Sequence, residues 1–415
     1  MSEDLSAFSL TKLLHSRHDM VFAGTRCLKL HRIMLMTVGL WPYQKPFILR
    51  VQSIFFFSIY CCYTFFQLTP FLTTTCNMDC ILKRCCYICI SIVFIMNYYS
   101  LYFNSEAVKR MVEHMQFDWK MFENTDAMKI FEEYLFESYI FTLSLCILLL
   151  IFPSFLILTE YRSIILDVII PMNESRPRKV EIDFELFVDE QQYFFFYIVE
   201  EVLGMGLGCW SMLVMGTLLT TVAKHSCATY KIVSVFSCLI RDTVTIHTLQ
   251  FPIVQGIQVM YRNICRSVHI HRRTFEFCND MILLFQMWFF PLLLIGVLAL
   301  SCLLFRLYNA IIQFDDVYDI SLSCTHLFFF FIYMLVANFL AQSYTEHSVG
   351  LLESTYNTLW YVAPLPIQKL FLIMQKSIKS HKVVVGGLFV ASIEGFSTLV
   401  TSAVSYFTVM HAMRL

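Results

Sequence analysis

Seven apolar segments, at roughly 47–69, 80–103, 138–160, 193–222, 281–306, 321–343 and 384–412, run through the chain. Each reaches the ~20 residues that cross ~30 Å of hydrocarbon as a helix. They leave eight connections, and Lys and Arg fall mostly on alternate ones. Connections 1–46, 104–137, 223–280 and 344–383 hold 21 of them, against 5 in 70–79, 161–192, 307–320 and 413–415. Positively charged loops stay in the cytoplasm, so the bias predicts a cytoplasmic N-terminus and, after seven crossings, an extracellular C-terminus. That is the reverse of a G-protein-coupled receptor. The only Asn-x-Ser/Thr sequon with x not Pro, Asn173-Glu174-Ser175, falls in 161–192, on the side the charge bias makes extracellular, so Asn173 is expected to be glycosylated.

Composition agrees. With 58% apolar and 15% charged residues, the chain is not a soluble globule but an all-α, multi-pass membrane protein surrounded by membrane lipid. The basic residues are accounted for by topology, so no nucleic acid is expected as a partner. Residues 1–46 show no charged n-region followed by an apolar h-region and cleavage site, and no removable signal peptide is expected. Most of the sixteen cysteines, among them Cys61, Cys86, Cys146 and Cys302, lie in spans or cytoplasmic stretches, where they act as small apolar fillers. Cys76 and Cys80 lie together on the outer side and could form a bridge. No P-loop, glycine-rich nucleotide fingerprint, zinc-protease helix or nucleophile elbow occurs, which argues against an enzyme and against a cofactor or metal.

Three regions follow. Residues 1–46 form a cytoplasmic segment with short helices ending at Trp41-Pro42, where Pro stops a helix. Residues 47–343 form a six-helix ligand-binding region, and helical periodicity continues past the spans into 104–137 and into 223–280. Helices extended on one side must pack on something, and a cytoplasmic bundle is the expected partner. Residues 344–415 hold a cytoplasmic anchor segment and the seventh span. Gly204 and Gly208 form a small-xxx-small step that permits close helix approach.

Span seven carries the sharpest pattern. At ~100° per residue, Glu394, Thr398, Thr401, Ser402, Ser405, Val409 and Ala412 share one face, while Phe396, Val400, Ala403, Phe407 and Met410 lie opposite. Two readings stand. The hydroxyls are glue at a helix interface, bonded to backbone carbonyls. Alternatively they line a pore, where they solvate a hydrated ion and Val409 forms an apolar gate that closes by dewetting. Glu394 lies about 22 Å inward of Val409 at 1.5 Å per residue, and four such carboxylates around one axis would concentrate cations at the inner mouth. Glu200, Glu201, Lys83 and Arg84 lie within spans and are expected to pair or to face a water-filled vestibule. Aromatic residues crowd the outward halves of spans two, three, four and six. Tyr87, Phe155, Tyr193, Tyr197 and Phe329 are the candidate lining of a cavity for a small apolar molecule; packing is the competing role for each.

These features meet a known family. Leu35-Met36-Thr37-Val38-Gly39-Leu40-Trp41-Pro42, Asp118-Trp119, Tyr356, Trp360, Leu365-Pro366, Gln368-Lys369, Met374-Gln375-Lys376-Ser377, Gly386-Gly387, Leu399-Val400 and Ser405-Tyr406-Phe407 occur in the order and spacing found in the insect odorant receptors, which the chain resembles along essentially its whole length. The resemblance implies a ligand-gated, non-selective cation channel of four subunits, with a pore lined by the last helix and an odorant pocket in each subunit's outer half. It also implies assembly with the odorant receptor co-receptor, which has a much longer second cytoplasmic loop than this chain. By position relative to Tyr406, the family's hydrophobic gate maps onto Val409 and its outer-mouth position onto Met413. The related gustatory receptors usually end their seventh span in Thr-Tyr-x5-Gln-Phe, a Gln-Phe this chain lacks, and Ile378-Lys379-Ser380-His381-Lys382 departs from the odorant receptors' usual run before span seven. The other readings are a metabotropic seven-helix chemoreceptor, a gustatory-type channel and a transporter. The first differs from the channel in the side on which the N-terminus lies. The last needs paired broken helices, which the sequence does not display.

Overall fold

The structure is a computed structural model that describes residues 27–73, 77–170, 176, 182, 185–188, 192–250, 253–313, 317–357, 360–377 and 382–414. In chain order the helices are α1 (27–37), α2 (Pro46–Leu68), α3 (Pro70–Thr73), α4 (Met78–Phe103), α5 (Ser105–Phe122), α6 (Ala127–Glu160), α7 (Arg162–Ile169), α8 (Phe194–Gln250), α9 (Ile253–Gln313), α10 (Val317–Tyr356), α11 (Leu365–Ser377) and α12 (Ile393–Arg414). Each apolar segment of the sequence overlaps one of them. Among the described residues, five stretches are long and apolar enough to cross a membrane by length and composition: Pro46–Thr73, Ala127–Thr159, Phe194–Phe236, Tyr261–Ile312 and Val317–Tyr356. The other two spans fall on α4 and α12, of 26 and 22 residues.

Two helices far exceed a bilayer. The 57 residues of α8 and the 61 of α9 give lengths of about 85 and 92 Å at 1.5 Å per residue, against ~30 Å of hydrocarbon. Together with α5, α11 and the last turns of α10 they form helical structure beyond the spans. The core runs through both parts: α8 packs along α6, α9 and α10, and α4 along α8 and α9.

The chain's breaks have local causes. Helix α1 stops before Trp41-Pro42, the expected end, because Gly39 adopts φ +70° and closes a Schellman cap: Leu40 N–H donates to Leu35 O at 2.8 Å and Gly39 N–H to Met36 O at 3.3 Å. The segment after span two does not continue α4. Asn104 ends that helix, donating from Nδ2 to Ser100 O at 2.7 Å, while its own carbonyl accepts the N–H groups of Ala107 and Val108 in α5. Asn124 takes a left-handed φ of 62° in the turn between α5 and α6, a conformation Asn tolerates.

The seventh span also differs from its expected start. Val384–Val385 pairs antiparallel with Phe389–Val390 in a small hairpin, so the helix begins only at Ile393. Gly386 and Gly387, at φ +60° and +71°, make the turn. A Cβ on Gly386 would also lie 2.3 Å from the Phe290 ring of α9, so the hairpin is docked against that helix. Ser392 then caps α12 by accepting the Gly395 N–H at 2.9 Å, and Gln342 of α10 accepts the Ile393 N–H at 2.8 Å.

Gly204 and Gly208 act as the small-xxx-small pattern suggests. A Cβ would fall 2.0 Å from Tyr63 of α2 at the first and 2.1 Å from Phe94 of α4 at the second. Tyr63 is 1% exposed and has nowhere to retreat. Gly204→Val is therefore expected to destabilise the fold by about 1–3 kcal/mol through overpacking. A lower melting temperature of the purified protein than for Gly206→Val, where a Cβ meets nothing within 4 Å, checks it.

Candidate functional site

A cavity of about 340 Å³ lies between α4, α6, α8, α9 and α10. Helical periodicity builds its walls: Leu145, Leu148, Leu149 and Phe152 on α6, and His326, Phe329, Phe330, Tyr333, Ala337, Leu340, Ala341 and Tyr344 on α10, recur at i, i+3, i+4 and i+7. From His326 to Tyr344 the α10 wall extends about 27 Å, so the cavity is elongated along the helices and not confined to one half of the bundle.

Most of the polar groups on its walls bond within the protein. Tyr333 Oη donates to Asn97 Oδ1 at 3.0 Å, the Tyr344 and Tyr230 hydroxyls lie 3.2 Å apart, His326 Nδ1 donates to Leu322 O at 2.9 Å, and Ser226 Oγ donates to Val222 O at 2.9 Å. What remains for an occupant is chiefly aliphatic, aromatic and sulfur surface, from Ile90, Met205, Met212, Met281 and Phe285 among others. Such a volume and lining suit a small, largely apolar molecule.

Of the five aromatic residues singled out from the sequence, Phe329 lines the cavity. Phe155 is half-buried and packs against the core without lining it. Tyr87 accepts a hydrogen bond from Arg306 of α9 and meets the His326 ring edge-on at 6.0 Å, one shell behind the wall. Tyr197 donates to Val188 O at 3.0 Å, tying α8 to the segment before it, and Tyr193 is exposed just ahead of α8. Sequence reasoning missed Gly216, Met212 and Phe285 on the wall. Their side chains resemble those facing lipid, and only helix rotation and tilt separate the two. Arg84 donates to Pro70 O at 2.9 Å and lies over the Phe71 ring. Asn173 lies outside the described residues. Cys80 is disulfide-bonded, and Cys76 lies outside the described residues.

The second element is α12. Its polar stripe lies on the surface of the subunit: Glu394, Thr398, Thr401, Ser405, Val409 and Met413 are exposed and Ser402 is half-buried. The opposite face, with Phe396, Leu399 and Ala403 buried, packs on α9 and α10. Thr398, Thr401, Ser402 and Ser405 each donate to the carbonyl one turn back, at 2.8–3.1 Å. Each hydroxyl proton is thereby used within the helix, and the oxygen lone pairs point outward as acceptors. Near the end of the helix, the Tyr308 hydroxyl and His411 Nε2 are 2.8 Å apart, linking α12 to α9, whose inner turns form part of the cavity wall.

The chain is thus a bundle of long apolar helices packed around a cavity with largely apolar walls. The family model described as "7tm Odorant receptor" matches residues 77–404, and the chain belongs to that family. It is therefore a chemosensory receptor of a receptor class, not an enzyme class. Its fold is that of the insect olfactory receptor OR5 from Machilis hrabei. The OR5 structure in complex with eugenol aligns with a TM-score of 0.73 at 14% identity, covering 95% of this chain and 100% of that one. A second OR5 structure aligns with a TM-score of 0.69 at 13% identity, covering 94% and 99%. Among curated proteins none matches the chain.

Proposed function

We propose that this receptor is an odorant-tuning subunit of a ligand-gated, non-selective cation channel. It sits in the plasma membrane of an olfactory neuron dendrite, assembled with the odorant receptor co-receptor as a hetero-tetramer. The observation that carries this reading is α12, a membrane-length helix whose hydroxyl-bearing face is turned away from its own subunit. Such a face needs water or other subunits against it, and four copies around an axis supply both. Glu394 then stands at the inner mouth, Thr398, Thr401, Ser402 and Ser405 along the conduction path, and Val409 at the constriction, with Met413 beyond it.

The cavity between α4, α6, α8, α9 and α10 is the odorant site in this reading. OR5 has been solved with eugenol, which supports a small organic ligand for this chain as well. The route from cavity to gate runs through α9, by the Tyr308–His411 contact. The metabotropic reading is not favoured by any feature of the structure. Odorant-evoked current in excised membrane patches without nucleotide, from cells expressing this chain with the co-receptor, tests the channel reading; current that requires GTP would refute it.

Orientation follows from the charge bias. With 161–192 outside, Asn173→Gln is expected to remove a glycosidase-sensitive mass shift, and an epitope at the N-terminus should be labelled only after permeabilisation. Labelling of intact cells would reverse the topology and remove the channel reading with it.

A further inference from the structure

The helices that extend beyond the spans hold a buried cluster of a different chemistry from the cavity's. His114 and Asp118 lie one turn apart on α5, and α8 brings His225 against them. Asp118 Oδ2 is 3.2 Å from His114 Nδ1 and 3.0 Å from His225 Nε2, and the three donor atoms all lie within 4.8 Å of one another. Asp118 and His225 are buried, at 2% and 1% exposure. The rings are fixed: His114 lies flat on Phe277 of α9 at 4.1 Å and 13°, and Phe131 of α6 meets His225 edge-on at 5.0 Å. Arg273 of α9 also faces the cluster, its Nη2 3.2 Å from Asp118 Oδ1.

Hydrogen bonding does not complete this cluster. Both ring nitrogens of His114, Nδ1 of His225 and Oδ1 of Asp118 are buried without a hydrogen bond of acceptable geometry, although two of the four lie at ion-pair distance from a partner. Buried polar atoms are nearly always satisfied, and His114 Nδ1, which faces Asp118 Oδ2 without a hydrogen bond, is the one an ion held between the three residues would satisfy.

We propose that His114, Asp118 and His225 form a binding site for a divalent transition-metal ion of the Zn²⁺ class. Bonds of ~2.0–2.1 Å to imidazole and carboxylate in a tetrahedron place neighbouring ligand atoms about 3.3 Å apart. Two of the three separations, 3.0 and 3.2 Å, approach that value, and the third is within 4.8 Å. Two imidazoles and one carboxylate are ligands for a borderline ion such as zinc, whereas Ca²⁺ and Mg²⁺ need several oxygens that a single aspartate does not provide. Arg273 occupies the second carboxylate oxygen and orients the ligand from behind. With three protein ligands, the fourth position is open to water. A bound ion would tie α5 to α8 and, through Arg273, to α9.

The test uses the purified full-length chain, stripped with EDTA, equilibrated with micromolar ZnCl₂ and washed. One zinc per chain is expected by elemental analysis. Co²⁺ in its place should give the intense visible absorption of a tetrahedral site. His225→Gln keeps a side-chain donor for Asp118 while removing the imidazole, and should weaken zinc binding at least tenfold; His114→Gln should do the same. Zinc should raise the melting temperature of the unsubstituted chain and not of either variant. No stoichiometric zinc, a weak octahedral Co²⁺ spectrum in the unsubstituted chain, or full zinc retention in both variants would overturn the proposal and leave a buried ion-pair cluster. The Co²⁺ spectrum decides the matter even if a variant fails to fold.

Discussion

Val409→Ser is expected to produce current in the absence of odorant. Val409 is exposed on the stripe face of α12, one turn beyond Ser405, and it is the one large aliphatic side chain among the polar positions there. A closed pore excludes ions because an apolar constriction does not hold water. Replacing valine by a hydroxyl removes ~1.5 kcal/mol of that apolar contribution per copy, which is about a tenfold rise in the open fraction where the basal level is low. Copies supplied by an unmutated co-receptor dilute the effect in proportion. Ser405→Ala and Glu394→Gln should act differently, altering conductance or cation permeability while the odorant panel stays the same. Basal and evoked currents from cells matched for surface expression check both; a silent Val409→Ser channel would place the constriction elsewhere.

Gly216→Phe is expected to abolish odorant sensitivity. Gly216 lines the cavity from α8, and a Cβ there meets nothing within 4 Å, so a benzyl side chain would grow into the cavity and not into a neighbour. Replacing glycine by phenylalanine in a helix interior favours the helix by a few tenths of a kcal/mol (~0.5), so the fold is not the expected casualty. A ring of this size takes a large share of about 340 Å³, and an odorant denied ~3 kcal/mol of burial loses about 150-fold in affinity. Phe329→Ala works in the opposite sense, enlarging the site and shifting the panel toward bulkier ligands. The same dose-response curves for Gly216→Phe and the unsubstituted chain would move the odorant site out of this cavity.

Much of the architecture is legible in the residues because it follows from two periodicities. Runs of about twenty apolar residues mark the spans, and a 3.6-residue repeat continuing through Val222–Ile240 and Val254–Phe277 marks the extensions of α8 and α9. The stripe on α12 is visible for the same reason: a helix turns its polar residues to one side whatever it packs against. The hairpin at 384–390 was not legible as such, since Val383, Val384, Val385, Leu388, Phe389 and Val390 read as the start of an apolar span, and only the left-handed conformation of Gly386 and Gly387 folds them back. The cavity was legible in kind but not in its residues. Aromatic side chains on lipid-facing, core and cavity faces are the same types, and Tyr87 and Tyr197 are drawn to specific partners, Arg306 and Val188 O, that no local pattern announces. The His114–Asp118–His225 cluster joins residues 107 positions apart between Asp118 and His225 and depends wholly on how α5 docks on α8.

The central claim is that α12 lines an ion pathway, and cysteine accessibility along 394–413 measures it most directly. Each position is replaced in turn by Cys in the expressed channel, and a charged, water-soluble thiol reagent is applied while odorant-evoked current is recorded. Modification is expected at Thr398, Thr401, Ser402, Ser405 and Val409, with faster reaction of the inner positions in the open state. Phe396, Val400, Ala403 and Phe407, on the face packed against α9 and α10, should be spared. Uniform reactivity, or reactivity on the packed face alone, would contradict the account and show that this helix does not line the pore.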